Sequence, residues 1–556
     1  MPQDVTITFL GGLGDIGRNC AAIETGDSLL ILDCGQLFAG EDRPGVDSIL
    51  PDIDYLRDRA DRIIGCITTH GHEDHLGALA PVIAMGLTFP IYASGFTLGL
   101  IRHRLEERDL LSGIDLIQVS DNERVSIGPF DVEFLPVTHS VPGGLISSIG
   151  TPQGVVLHSS DFKLDLHPID DRRTDLSRIG AIAQDPGVRL LLADSTNSEV
   201  PGHSRSESAI GPELLNVFRS HGDRRLICAA FSSHIHRIQQ IADAALDGGR
   251  MIATLGLSMK RNVSLARQLG LLRIPDASLV DISEIDAYPP EKVCVISTGS
   301  QGEQRAALAQ AAYGRSRWLD IGPDDTIVLS SHPIPGNEAK VSGVINELVL
   351  RGAKVVTSAE FDIHTSGHGK RDELTTLHSL AEPEWFVPVH GEHRHLWAHA
   401  ELARSLGMPH DNVLEAVDGD QIIMSDDGLS LRQGATSGAH MLVHGPFIGP
   451  DRGVVGERQV LSDGGFVSVS VLVDIEARDL LAHPRVESRG WLDNVDVRPL
   501  HADIAMAVEA AIGHALHDGV TDVVELERRV RRTTGQYVSD NTDRRPMVVP
   551  IVIEAH

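Results

Sequence analysis

The chain has 556 residues, 42% of them hydrophobic, which is enough for packed cores and, at about 100 to 200 residues per domain, for more than one domain. Its 48 basic and 78 acidic residues leave a formal net charge of −30, which counts against a polyanionic partner unless positive charge is concentrated locally, within a Debye length of about 8 Å. No apolar run of about 18 residues occurs, and Met1-Pro2-Gln3-Asp4 does not open a basic-then-apolar leader, so no membrane span or signal peptide is expected and the chain reads as cytoplasmic.

In chain order, the first 200 or so residues alternate short apolar strands with turns: Val5 to Leu10, Ala21 to Glu24, Leu29 to Leu32, Ile63 to Thr68, Pro90 to Ala93, Val132 to Val137, Val155 to His158 and Leu190 to Ala193. The glycine-rich stretch Gly11 to Gly17 has no adjoining helix pattern or ribose-binding acid and is read as a turn near a cleft. Behind the strand ending at Thr68 comes His70-Gly71-His72-Glu73-Asp74-His75, three imidazoles and two carboxylates in six residues. Imidazole and carboxylate are the ligands divalent transition metals accept, and so many on one tight loop exceed the needs of one ion. The loop is therefore read as part of a two-metal site. Further metal-competent side chains follow at strand ends: His139 before Ser-Val-Pro-Gly-Gly, Asp161 after the strand 154–158, and His390 after Trp385 to Val389. Each alone reads as an ordinary polar strand end; together they form a pattern.

From about Glu207 to Phe361 helices and strands alternate, from Ser208 to Ser220 through Val355 to Thr357, which suggests a parallel sheet. After Leu431 the chain loosens into Gly- and Ser-containing turns, a candidate linker. Beyond it, Val467, Val469, Val471 and Val473 alternate as a strand, and Ile504, Val508, Ile512 and Leu516 recur every fourth residue as a helix stripe. A second helix over Val523 to Arg532 and a last strand over Met547 to Glu554 complete a small domain. Cys20, Cys34, Cys66, Cys228 and Cys294 have no CxxC spacing and are expected as buried thiols.

The series His70-x-His72-x-Asp74-His75, His139, Asp161 and His390, with Asp33 after Leu29 to Leu32, resembles the motifs of the metallo-β-lactamase fold. Leu191 to Asn197 and His364-Thr365-Ser366-Gly367-His368 resemble those of its nucleic-acid-cleaving β-CASP subgroup. The layout, with Ser297 to Glu303, Pro333 to Glu338, Val387 to Glu392 and Arg544-Arg545-Pro546-Met547, is similar to the bacterial ribonuclease J family. The resemblance implies an α/β protein: an αββα metallo-β-lactamase sandwich (1–206 and 363–432), an inserted α/β β-CASP domain (207–362), a linker (433–456) and a small C-terminal α/β domain (457–556) that supports a homo-oligomer, dimer or tetramer. It implies a two-metal ribonuclease acting 5′-to-3′ from 5′-monophosphate ends, with endonuclease cuts, in RNA maturation and decay.

On that reading His70, His72 and His139 hold one ion, Asp74, His75 and His390 the other, and Asp161 bridges them; zinc and manganese suit these ligands equally. Asp74 would also orient the attacking water, and Asp33 would fix ligand orientation from behind. His368, oriented by Asp194, is the candidate general acid. His364, Thr365, Ser366 and Gly367 would hold a phosphate, as would Ser232, Ser233 and His234 from the insert, although these last three suit a strand-to-helix cap equally well. The chain departs from the family pattern at His234, Leu257, Gln304 and Arg305, all in the insert, which bears on RNA contacts rather than on hydrolysis. A thioester or lactone hydrolase of the same fold would use the same ligands without needing the insert or His368, and a DNA-directed β-CASP nuclease is separated only by substrate competition. Paired cations such as Arg102-x-Arg104 read mostly as solvated helix faces, with Lys260-Arg261, in the insert near blocks that would face the cleft, the pair to test first.

Overall fold

A computed structural model describes residues 3–40, 42–334, 337–492 and 496–555; Met1 and Pro2, and Pro335 and Gly336 of the Pro333 to Glu338 block, lie outside the described residues. The chain divides into two compact units, Met1–Leu37 with Ile49–Met441, and Phe38–Ser48 with Leu442–His556.

The first unit begins with an eight-stranded mixed sheet in the order Gly428–Arg432, Gln421–Ser425, Val5–Gly11, Cys20–Thr25, Ser28–Leu32, Ile63–Ile67, Ile91–Ala93 and Leu116–Gln118. A six-stranded sheet follows in the order Glu123–Ile127, Phe130–Pro136, Leu145–Thr151, Gly154–His158, Val188–Asp194 and Trp385–Val389. Ile7, Ile23, Leu30 and Ile67 of the first pack with Phe134, Ile149, Val156, Leu192 and Val387 of the second in one buried core. The opposite face of the second sheet buries Leu135, Leu157, Leu191 and Phe386 against Ile179, Leu377 and Ala400 from the helices Leu176–Gln184, Arg371–Ala381 and His393–Ser405. Covered on both faces, its parallel strands Gly154–His158, Val188–Asp194 and Trp385–Val389 read as near-continuous apolar runs rather than as an alternation. This is the αββα layering that the family resemblance implies.

The parallel neighbours decide where the chemistry lies. Ser28–Leu32 runs parallel to Ile63–Ile67, and Gly154–His158, Val188–Asp194 and Trp385–Val389 run parallel to one another. Their C-terminal ends therefore open on shared edges of the sandwich, the usual place for a ligand crevice in α/β layers.

Between Asp194 and Trp385 the chain builds a third, wholly parallel sheet in the order Leu279–Val280, Met251–Leu255, Val293–Ser297, Arg225–Ala229, Asp325–Leu329 and Lys354–Val356. Its core joins Ile227, Val295 and Ile327 to Leu308, Val344 and Leu348 from flanking helices.

In the second unit, Phe466–Asp474 pairs parallel with Met547–Glu554 and antiparallel with Arg485–Arg489. Its valines face Ile504, Val508, Ile512 and Leu516 of the helix Arg498–His517. The next helix, Val523–Asn541, runs nine residues beyond the expected end at Arg532, because buried Thr534 and Val538 continue the fourfold spacing of Leu526 and Val530. The expected linker 433–456 is not featureless, since Met441–His444 and Phe447–Pro450 are strands and the helix Val454–Gly464 starts within it. All five cysteines are buried free thiols. Among the described residues no helix is long and apolar enough to cross a membrane.

Candidate metal centre

Five strand ends build the centre. Asp33 follows Ser28–Leu32 in a left-handed conformation (φ 59°), and His390 follows Trp385–Val389 likewise (φ 53°). Such backbone turns a non-glycine side chain sharply off the strand at a local cost, a signature of functional loops. The His70–His75 loop leaves Ile63–Ile67 and closes into a one-turn helix, Glu73–Leu76. His139 lies beyond Phe130–Pro136 and Asp161 beyond Gly154–His158. Gly35 lets the Asp33 segment and the His70–His75 loop meet: a Cβ there would fall 1.6 Å from the carbonyl oxygen of Asp74.

These ends bring seven of the expected side chains together in two groups that share one carboxylate. His70, His72, His139 and Asp161 offer ligand atoms within 4.8 Å of one another, and so do Asp74, His75, Asp161 and His390. In the first, His72 Nδ1 lies 3.1 Å from His70 Nε2 and 3.2 Å from His139 Nε2, with Asp161 Oδ2 3.5 Å from His70 Nε2. In the second, Asp161 Oδ1 lies 3.2 Å from His75 Nε2 and 3.6 Å from His390 Nε2, and Asp74 Oδ2 is 3.2 Å from His390 Nε2. Glu73, the other carboxylate of the loop, turns away to Arg104 and to Gln36.

Asp161 supplies the test of fit. Its residue is 2% exposed, and neither carboxylate oxygen has a hydrogen-bond partner. A buried anion without donors is costly unless a cation faces it, and here one oxygen faces each group of imidazoles. The residues fit a divalent-metal centre.

The far side of each imidazole is tied down, as metal-ligating histidines require. Asp33 Oδ2 meets His75 Nδ1 at 2.8 Å while its oxygens accept from Thr69 N and Oγ1 at 2.8 and 2.9 Å. His139 Nδ1 donates to Gly367 O at 2.8 Å, and Thr196 Oγ1 lies 2.8 Å from His390 Nδ1. Thr69 and Ser160 flank His70 Nδ1 at 3.1 and 3.4 Å. Burial drives His70 and His139 well below the usual imidazole value, and His72 to about 4. His75 and His390 are equally buried, yet Asp161 leads the nearby carboxylates in outweighing burial and holds both well above it. Burial acts to raise Asp161, but His390, His75 and His70 hold it well below the carboxylate range. The pocket is thus built around anions that want cations.

The remaining expected residues divide. Asp194 Oδ2 meets His368 Nδ1 at 2.7 Å, and His368 Nε2 lies 4.0 Å from Asp161 Oδ2, so this pair adjoins the centre. Gly367 cannot carry a side chain, since a Cβ would sit 2.7 Å from His139 Cε1. Ser366 Oγ accepts from Asn197 Nδ2 and from His368 N, and Thr365 Oγ1 donates to Arg205 O. His364 is largely buried beside His332, with Nδ1 unpartnered and its pKa pushed by burial to about 2.

In the insert, His234 caps the helix Ile235–Asp247 by accepting from Arg237 N, and lies 3.5 Å from Glu207, so it serves as the cap that the sequence left open. Ser232 meets Asn262, and Ser233 is half-buried beside it. Leu257 is 78% exposed at the start of Leu257–Gln268, and Gln304 and Arg305 lie in a turn. Lys260 and Arg261 are taken up by Asp281 and Glu107. Thr69 and Ser160 support the centre without being singled out in the sequence, because hydroxyls beside strand ends are too common to signal a role, while Thr196 and Asn197 lie in the Leu191 to Asn197 block whose resemblance marked the segment but not their part in it.

Three family models match the chain: "Ribonuclease J, beta-CASP domain" over residues 223–348, "Zn-dependent metallo-hydrolase RNA specificity domain" over 354–413 and "Ribonuclease J C-terminal domain" over 453–555. Ribonuclease J of Mycolicibacterium smegmatis is 41% identical, over 100% of this chain and 98% of its own length. The Mycobacterium tuberculosis H37Rv protein of that name is 41% identical over 99% and 97%, and that of Helicobacter pylori 26695 is 35% identical over 95% and 76%. A crystal structure of a protein of unknown function from Enterococcus faecalis V583 superposes with a TM-score of 0.51 at 15% identity, covering 76% of this chain and all of that one, which speaks to fold alone.

Proposed function

The chain belongs to the ribonuclease J family of metal-dependent RNA hydrolases, and from that premise we propose that two divalent ions, zinc or manganese, serve its centre in 5′-to-3′ removal of nucleotides from 5′-monophosphate RNA, with internal cuts besides. The observation that carries the reading is buried Asp161, whose two oxygens each face a separate set of imidazoles. His70, His72 and His139 would hold one ion, and Asp74, His75 and His390 the other. Bound there, such ions polarise a phosphodiester oxygen and bring the pKa of water toward about 7.

The chain's own side chains do the rest. Asp74, one-quarter exposed at its side chain, is the member of its group open to the cleft, and it orients the attacking water and takes its proton. His368, held by Asp194 through Nδ1, turns Nε2 toward the centre and gives the leaving 3′ oxygen its proton. Asp33 keeps His75 in one tautomer. His364 and the Thr365 to Gly367 turn, with Ser232 and Ser233 from the insert, lie in the segments that would receive the 5′ phosphate.

We assign residues 1–206 and 363–432 to the metallo-β-lactamase domain, 207–362 to the β-CASP domain, 433–456 to the connection and 457–556 to the C-terminal domain. Exposed Val549, Ile551 and Ile553, alternating along Met547–Glu554, support a homo-oligomer, dimer or tetramer, and five free thiols support a reducing, cytoplasmic setting. The test incubates the purified protein with 5′-monophosphate RNA, 5′-triphosphate RNA and matched DNA, with zinc or manganese. Monophosphate RNA should be consumed fastest; His75→Ala should abolish cleavage, and His368→Ala should slow it by about 10²- to 10⁴-fold, the usual worth of a general acid. Preference for DNA, or thioester turnover without RNA cleavage, would overturn the reading.

A further inference from the structure

Behind the centre, on the outer face of the second sheet, lie two histidines that the hydrolytic reading does not use. His378, on Arg371–Ala381, and His399, on His393–Ser405, face each other with Nε2 atoms 3.2 Å apart, packed around Phe386. His399 Nδ1 is 3.0 Å from Ser195 Oγ, and Ser195 Oγ is 3.3 Å from Ala193 O. Ser195 and His399 have no exposed surface, and His378 is 5% exposed.

Ser195 sits between two residues of the centre. Asp194 before it orients His368, and Thr196 after it meets His390 Nδ1; the Ser195 N–H donates to His390 O at 3.2 Å. Whatever fixes Ser195 therefore fixes the turn that aims both histidines.

The hydrogen-bond inventory allows one proton order that satisfies every donor. His378 Nε2–H donates to His399 Nε2, His399 Nδ1–H donates to Ser195 Oγ, and the Ser195 hydroxyl donates to Ala193 O. His378 Nδ1, which is buried and has no partner, is then a bare lone pair. The reverse order would leave a buried N–H there with no acceptor, the costlier defect. Burial holds both rings neutral, His378 at about 4 and His399 well below the usual imidazole value.

The geometry points to a buried brace, His378–His399–Ser195, that positions the Asp194–Thr196 turn and through it His368 and His390. His399 is a positioning residue; it touches neither substrate nor a metal ligand. The inference rests on the assignment of Asp194, His368 and His390 to the centre.

The test is steady-state cleavage of a 5′-monophosphate RNA by the metal-loaded protein, its His399→Phe, Ser195→Ala and His399→Asn variants, and the double variant His399→Phe with Ser195→Ala. Phenylalanine keeps the ring volume, and asparagine keeps an N–H near the place of Nδ1. Each of His399→Phe and Ser195→Ala should lower kcat by about 10- to 100-fold, the range typical of partners behind metal-site ligands, with KM within about twofold. The double variant should be no worse than the weaker single one, and His399→Asn should recover most of the loss. A kcat within about twofold of wild type in either single variant, or losses that multiply in the double, would overturn the brace. Should His399→Phe fail to fold, Ser195→Ala, which removes one oxygen, decides the same question. His390→Ala, run alongside, separates the brace from the centre: full activity there sinks the centre itself, whereas an inactive His390→Ala beside fully active Ser195→Ala sinks the brace alone.

Discussion

A single carboxylate, Asp33, ties the His75 imidazole of the candidate centre to the loop that carries it. With one oxygen it meets both His75 Nδ1 and Thr69 Oγ1, and with the other it accepts from Thr69 N. Asp33→Ala should leave the fold intact and weaken metal affinity by about 10- to 100-fold, as loss of a ligand's hydrogen-bond partner typically does; competition with a chelating dye measures this, and unchanged affinity would show that the loop holds His75 unaided. Gly35 is constrained by its neighbour's backbone. With a Cβ 1.6 Å from Asp74 O, Gly35→Ala has no flexible side chain to displace and must move the His70–His75 loop. We expect a loss of roughly 3 kcal/mol or more in urea unfolding together with a drop in bound metal, since backbone strain belongs to the short list of large single-residue effects. Asp33 was picked out by the resemblance of its strand end to the family motif, while Gly35 was one glycine among many, because a close approach between segments leaves no mark on the sequence of either.

At the scale of elements, the helix Ile235–Asp247 is clamped to its surroundings by fully buried Arg237. Its guanidinium meets both oxygens of Glu207 at 2.8 and 3.0 Å and donates to the carbonyls of Ser330 and Ile363, so one side chain joins the helix, the 3-10 turn Glu207–Ala209 and two strand-end loops. Arg237→Leu strips buried Glu207 of its two guanidinium hydrogen bonds and leaves His234 alone beside it, which should cost about 3 to 5 kcal/mol in equilibrium unfolding. The same cluster makes stability depend on pH. Glu207 is buried, but His234 and Arg237 hold it well below the usual carboxylate value, so its contribution is whole above its unfolded value and is lost as pH falls through the lower folded one. His234 is pushed by burial to about 4, so below pH 6.5 the unfolded chain takes the proton first and stability falls until pH reaches about 4. Between those limits His234→Gln should flatten the stability curve by up to one proton, a slope of about 1.4 kcal/mol per pH unit; equal slopes in denaturant titrations of the two proteins would refute it. The strand-to-helix pattern of the insert was readable from its periodicity. That His234 caps a helix was open in the sequence, because a residue before a helix serves as cap or as ligand according to where the next lobe lies.

For the whole molecule, the centre joins segments from both sides of the insert, so metal and fold are linked. Stripping the ions with a chelator should abolish RNA cleavage and lower the melting temperature; at ion concentrations about 100-fold above Kd the linkage is worth about 2.7 kcal/mol. A melting curve indifferent to chelator would mean that the side chains of Asp161 and its neighbours are settled without cations. Composition and periodicity alone were enough to establish several domains, a strand-rich first part followed by a helix-and-strand region that suggests a parallel sheet, and metal-competent side chains at the strand ends, because each of these is written in local spacing along the chain; the sandwich and its interruption by an insert came from the family resemblance. Only the tertiary structure could decide that Asp161 turns one oxygen to each group, that His139 is steadied by Gly367 across 228 positions and His390 by Thr196 across 194, and that His378 and His399 stand behind Ser195. Those pairings depend on which strand ends meet at an edge, and the parallel register that brings them together forms between segments too distant in the chain for any pattern in either to announce the other.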